Sequence, residues 1–90
     1  MSTVVWAPNA VREVWRIYDY IAPFNPRAAA HLAEQLFGAG GRLASNPNRG
    51  RPVPGKPWRE LVVVYPYIIR YQVVGEVVRI LRVRHGMRLQ

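Results

Sequence analysis

The stretch Tyr20-Ile21-Ala22-Pro23-Phe24-Asn25-Pro26-Arg27-Ala28-Ala29 decides the fold. Pro23 biases the residue before it away from helical geometry, so a helix arriving from the N-terminal side must end at Ala22-Pro23. Asn25 is a helix-capping residue, and Pro26 fits the first turn of a new helix, where its missing N–H costs nothing. Two helices joined by so short a linker fold back on each other as an antiparallel hairpin. Upstream, Val11, Val14, Trp15, Tyr18, Ile21 and Ala22 recur in steps of three and one, a single helical face. Arg12, Glu13, Arg16 and Asp19 take the other side. Pro8 opens this helix, and Trp15 and Tyr18 are read as core. Downstream, Ala29, Leu32, Ala33, Leu36 and Leu43 mark the second helix's buried stripe, flanked by Phe37, and His31 is read as a surface residue. Gly38, Gly40 and Gly41 weaken its end; they either fray it or let a neighbour approach closely.

The flanks of the hairpin are β-rich. Thr3-Val4-Val5-Trp6 is a short strand ended by Pro8. Ala44 to Pro57 holds Pro47, Pro52, Pro54, Pro57, Gly50 and Gly55, and reads as a loop without helix or central strand. Trp58 to Tyr65, Tyr67 to Val74 and Val77 to His85 read as strands, with Pro66 and Gly75-Glu76 at the turns. The order is β-α-α-β-β-β, an α+β arrangement with the helical hairpin packed on an antiparallel sheet, in one domain spanning residues 1–90. Tyr67, Ile69, Tyr71 and Val73 alternate cleanly with Ile68, Arg70, Gln72 and Val74. The last strand alternates less cleanly. Either a bulge shifts its faces, or both faces are partly apolar and one lacks a cover.

Ninety residues with 50% hydrophobic content describe a small globular chain, not a disordered one. No cysteine is present, so a disulfide scaffold and a thiolate zinc site are excluded. No apolar run reaches a membrane span and no secretory signal is evident, so a cytoplasmic chain is expected. Metal-ligand spacing and a phosphate-binding glycine loop are absent, and no cofactor is expected.

The formal charge is +8, and 13 residues are Lys or Arg, of which Lys56 is the only Lys. Residues 1–41 are balanced. Residues 42–90 hold nine Arg and Lys56 against Glu60 and Glu76, so the surplus lies in this half. Arginine forks pair with carboxylate or phosphate through two hydrogen bonds, and an anionic partner should meet this half. A genomic bias toward arginine codons is the bland alternative. Arg79, Arg82, Arg84 and Arg88 crowd the end of the chain.

This order of elements resembles the ParE/RelE superfamily of type II toxin–antitoxin toxins. The resemblance runs from Trp6 to Arg88. It is carried by the corner at residues 20–29, by Asn46-Pro47-Asn48-Arg49-Gly50-Arg51, by Arg59-Glu60-Leu61, by Tyr65-Pro66-Tyr67-Ile68-Ile69-Arg70-Tyr71, and by Ile80-Leu81-Arg82-Val83-Arg84-His85-Gly86-Met87-Arg88. It implies a toxin held inactive in a hetero-oligomer by a cognate antitoxin, whose acidic, amphipathic C-terminal segment folds onto it. RelE-like members cut mRNA in the ribosomal A site, whereas ParE-like members inhibit DNA gyrase.

RNA cleavage needs a base for the 2′-hydroxyl, an acid for the leaving oxygen, and positive charge on the phosphorane. Nuclease relatives carry an arginine early in the second of the three last strands and a tyrosine near the C-terminus. Ile68 stands at the former position here, and no tyrosine follows Tyr71. The resemblance is therefore closer to the ParE-like branch, which would act by binding, with DNA gyrase as target. The alternatives are a ribosome-dependent mRNA endonuclease using Arg59, Arg70, Arg84 and His85, and a degenerate, non-toxic basic binding module. Target contacts are expected at Arg59, Arg82, Arg84, His85 and Arg88. Antitoxin contacts are expected at Trp58, Arg70, Arg79 and Arg82 and on the helical hairpin. Arg59 and Glu60 form either a target contact or an ion pair ordering the strand start.

Overall fold

The computed structural model describes residues 2–86. Strand β1 (Thr3–Trp6) leads into helix α1 (Pro8–Ile21) and helix α2 (Pro26–Arg42). The Asn25 side chain accepts a hydrogen bond from the Ala28 N–H at 3.0 Å and caps α2, as the corner predicts. Then come β2 (Arg51–Pro52), β3 (Arg59–Val64), β4 (Tyr67–Val74) and β5 (Val77–His85). The turn between β4 and β5 uses Gly75 at φ +59°, where a side chain would be strained. The helices pack on one face of a five-stranded sheet ordered β1-β5-β4-β3-β2. This is the α+β hairpin-on-sheet arrangement that the sequence predicts.

Two features of the sheet were not read from sequence. First, β1 pairs with β5 in parallel, so the sheet is mixed. The helical hairpin carries the chain across the sheet face, and such a crossover is what a parallel partner requires. Second, two residues of the Pro-rich segment form β2 at the edge of β3. Pro52 is tolerated there because an edge strand needs no donor on its outer side.

Bulge and glycine expectations resolve cleanly. Arg70 pairs with Arg82 but Tyr71 with Ile80, so Leu81 is the extra residue of a bulge in β5. That slip returns Val83 to the same buried face as Val78 and Ile80. Helix α2 runs unbroken through its glycines. A Cβ on Gly40 would lie 2.3 Å from the Trp6 ring and 2.7 Å from Ile80, so this glycine permits close approach of helix to sheet. The core joins Val14, Leu32, Leu36 and Leu43 to Ile69, Tyr71, Val78, Ile80 and Val83. Tyr18 packs against it and His31 is exposed. Trp15 departs from expectation: it is 48% exposed, its ring resting on Tyr18 and Phe37 at the surface. It lies at the rim of the α1 stripe, where a large ring gains contact on one side only.

Candidate functional site

The arginines divide by position along β4. Near one end of the strand, opposite β3, lies a polar clamp. Tyr71 is fully buried; its hydroxyl donates to the Pro47 carbonyl at 2.7 Å and accepts from the Gly50 N–H at 2.7 Å. Arg59, the register partner of Tyr71, donates to the Gly50 carbonyl at 2.7 Å and to that of Asn48 at 3.4 Å. Both side chains fasten residues 47–50 to the sheet. A Cβ on Gly50 would sit 2.7 Å from the Tyr71 ring and 2.9 Å from the Glu60 carbonyl, so the loop closes only over glycine.

Arg59 and Glu60 do not pair with each other, because alternation sends neighbouring side chains to opposite faces. Glu60 instead pairs across the strands with Arg70 at 3.0 Å. The Arg70 guanidinium also stands 4.7 Å from the centre of the Trp58 ring, and the Lys56 ammonium 5.4 Å from it. These are cation–π distances. Trp58 thus belongs to a stack on the sheet face away from the helices, with its Nε1 buried and unpartnered among the described residues.

At the other end of β4 a cleft of about 500 Å³ opens between α1 and the last turns of the sheet. Arg82, Arg84 and His85 line it from β5, Tyr67 from β4, and Arg16 and Tyr20 from α1. The His85 ring meets Tyr67 edge-on at 5.3 Å. β1 ends opposite Ile80, which leaves β5 uncovered beyond that point. Glu13 fills the gap: one carboxylate oxygen accepts from the Val83 N–H at 2.8 Å, and the other accepts from Arg82 Nε at 2.8 Å. The bond to Glu13 raises the Arg82 pKa, partial burial lowers it, and the carboxylate charge raises it further. Arg82 therefore stays cationic. Its share of stability is present below the ordinary arginine pKa and would be lost only as pH rose through the raised value.

Of the expected target contacts, the structure gathers Arg82, Arg84 and His85 in one cleft and leaves Arg59 at the clamp. Arg88 lies outside the described residues. Of the expected antitoxin contacts, Trp58 and Arg70 stand together, Arg79 is exposed opposite Gln72, and Arg82 faces the α1 cleft. Sequence reading passed over Glu13, Arg16, Ile17 and Tyr20 as lining residues. Their steps of three, one and three mark a second stripe on α1, which was the available signal. No cluster of potential metal ligands occurs among the described residues, nor any helix long and apolar enough to cross a membrane.

A hairpin-on-sheet body with an arginine-lined cleft defines a small, basic α+β protein. Residues 4–90 match the family described as ParE toxin of type II toxin-antitoxin system, parDE, and the chain belongs to that family. It is a toxin of a type II system, the class whose partner is an antitoxin. Among similar proteins is Toxin RelE2 of Caulobacter vibrioides, 46% identical over 89 residues, covering 99% of this chain and all of the relative. Toxin RelE1 of the same organism is 35% identical and covers 94% of each chain. A solved structure, of a chromosomal ParDE TA system from P. aeruginosa, superposes with a TM-score of 0.82 over 94% of this chain and 96% of that one, at 24% identity. The family carries the ParE name and the relatives the RelE name, so the names alone leave the target open.

Proposed function

We propose that this toxin acts by binding, with DNA gyrase as its cytoplasmic target, and that the α1 cleft is the target-facing surface. The observation that carries this reading is the dispersal of the residues a nuclease would need. Arg59 is engaged with loop carbonyls and Arg70 with Glu60 and Trp58. Arg59 pairs with Tyr71, whereas His85 pairs with Tyr67. Those positions are four residues apart, about 13 Å along a strand. A phosphorane needs its acid, base and cations around one atom, and this spread of Arg59 and Arg70 away from His85 argues for binding. Arg82 and Arg84 instead form a cationic wall suited to a carboxylate- or phosphate-bearing surface. Arg88, an expected target contact, lies outside the described residues.

The competing reading is a ribosome-dependent endonuclease, favoured by His85 standing in the cleft beside Arg84 and Tyr67. Purified toxin added separately to gyrase supercoiling reactions and to translating ribosomes distinguishes the two. We expect loss of supercoiling with accumulation of gyrase–DNA complexes while transcripts stay whole. Site-specific cleavage of mRNA on ribosomes, abolished by His85→Ala, would overturn the proposal.

A further inference from the structure

The sheet has two faces, and α1 and α2 pack on one of them. Cross-strand partners share a face, so the register shows which residues stand on the other. Arg51, Glu60 and Arg70 form one row across β2, β3 and β4. Val5, Arg79 and Gln72 form a second across β1, β5 and β4. Both rows alternate along their strands with core residues such as Tyr71 and Ile80, and so face away from the helices. Lys56 and Trp58 stand beside Arg70 on the same face. Arg82 extends the first row on β5, but its guanidinium is bound to Glu13 of α1.

The charge in these rows is one-sided. Glu60 is their one carboxylate, and it is paired with Arg70. Arg51, Lys56 and Arg79 are exposed and have no acidic partner among the described residues. Besides charge the face offers little to a protein. Its peptide groups are bonded along the ladders. The Trp58 ring is engaged by Arg70 and Lys56, and Val5, Val62 and Val74 are exposed at separate margins. Protein partners draw affinity from apolar anchors seated in pockets. Single-stranded RNA is held by stacking on open rings. A DNA duplex is held by cations on its phosphates, and that is what this face supplies. From β5 to β2 is three strand spacings, about 14 Å. A duplex presents roughly eight phosphates along that length.

We infer that the helix-free face of the sheet binds the phosphate backbone of duplex DNA through Arg51, Lys56 and Arg79. Contacts of this kind carry no sequence preference. Such binding needs no gyrase, and its three cations do not line the α1 cleft.

Purified toxin is titrated into a fluorescent mixed-sequence duplex of about 20 base pairs, without gyrase, and anisotropy is read from ~50 mM salt upward. The logarithm of the affinity should fall against the logarithm of salt with a slope of about −3, one unit for each cation. Arg51→Gln with Arg79→Gln should weaken binding at least about tenfold at low salt and make the slope shallower by about two. Arg12→Gln with Arg27→Gln removes the same charge from exposed positions on the helices and should change affinity by no more than about twofold. Lys56 carries the only lysine amine, and bound duplex should slow its acylation in the unmodified toxin. Equal losses from the two arginine pairs would mean that net charge alone attracts DNA, and would overturn the inference. So would undiminished binding by a folded Arg51→Gln, Arg79→Gln toxin, or polyglutamate of equal charge displacing the toxin as well as unlabelled duplex does. Should the variant fail to fold, Lys56 decides: acylation at the same rate with and without duplex overturns the inference. Gyrase inhibition is read in its own assay, so failure here leaves the target assignment untouched.

Discussion

The two ends of β4 carry the same chemistry to opposite purposes. At the Tyr71 end, an arginine, a tyrosine and a glycine are engaged with the backbone of residues 47–50. At the Tyr67 end, Arg82, Arg84 and His85 border open volume, with Arg82 steadied by Glu13. An arginine's role is thus set by whether a loop folds back to meet it. Beside the clamp the Pro-rich segment brings the carbonyls of Pro47, Asn48 and Gly50 within reach of Tyr71 and Arg59. Beside the cleft the sheet outruns β1, and the Glu13 carboxylate meets the uncovered edge.

This contrast can be broken at the clamp first. Tyr71→Phe deletes the hydroxyl and leaves the buried Gly50 N–H without an acceptor, at a cost of about 2–3 kcal/mol. Thermal unfolding should show a fall in Tm of roughly 10 °C or more. An unchanged Tm would mean that the loop is held by other means. Arg59→Met keeps the aliphatic stem and removes the bonds to the Gly50 and Asn48 carbonyls, for about 1.5 kcal/mol. Urea denaturation should show a lower midpoint with the slope unchanged.

At the cleft the energies shrink, and the proposed target surface comes under test. Glu13→Gln keeps an acceptor for the Val83 N–H but dissolves the ion pair with the half-exposed Arg82, for at most about 1 kcal/mol. The difference from the parent should narrow as salt is added. Arg84→Ala with His85→Ala should move stability least, within about 1 kcal/mol. The same double variant should relieve growth inhibition on induction without antitoxin. A variant that stays folded and fully toxic would remove the cleft from the target surface.

Much of this contrast was hidden from the sequence for physical reasons. The helical hairpin was legible, because Pro23, Asn25 and Pro26 act locally and the apolar steps of α1 and α2 repeat every turn. The bulge at Leu81 was legible as a failure of alternation. Register and pairing were not. The parallel seat of β1 and the two residues of β2 depend on where distant segments land, and neither leaves a local pattern. The same limit concealed the work of Arg59. Its partners are backbone carbonyls nine and eleven residues away, and a carbonyl has no signature in a sequence. Trp15 was misplaced because helical spacing gives the face of a residue but not the width of the neighbour that covers it.

The parallel pairing of Thr3 with Val77 also sets an order in time. A ribosome adding ~5–20 residues per second needs roughly 2–7 s to pass from Arg42 to Val77. Helices form within about a microsecond, but the stripe that α1 and α2 bury packs on Ile69, Tyr71, Val78 and Ile80, and those residues come later. The first strand must wait, unmated, for the last. Until β5 emerges there is neither a cleft wall nor a seat for β1.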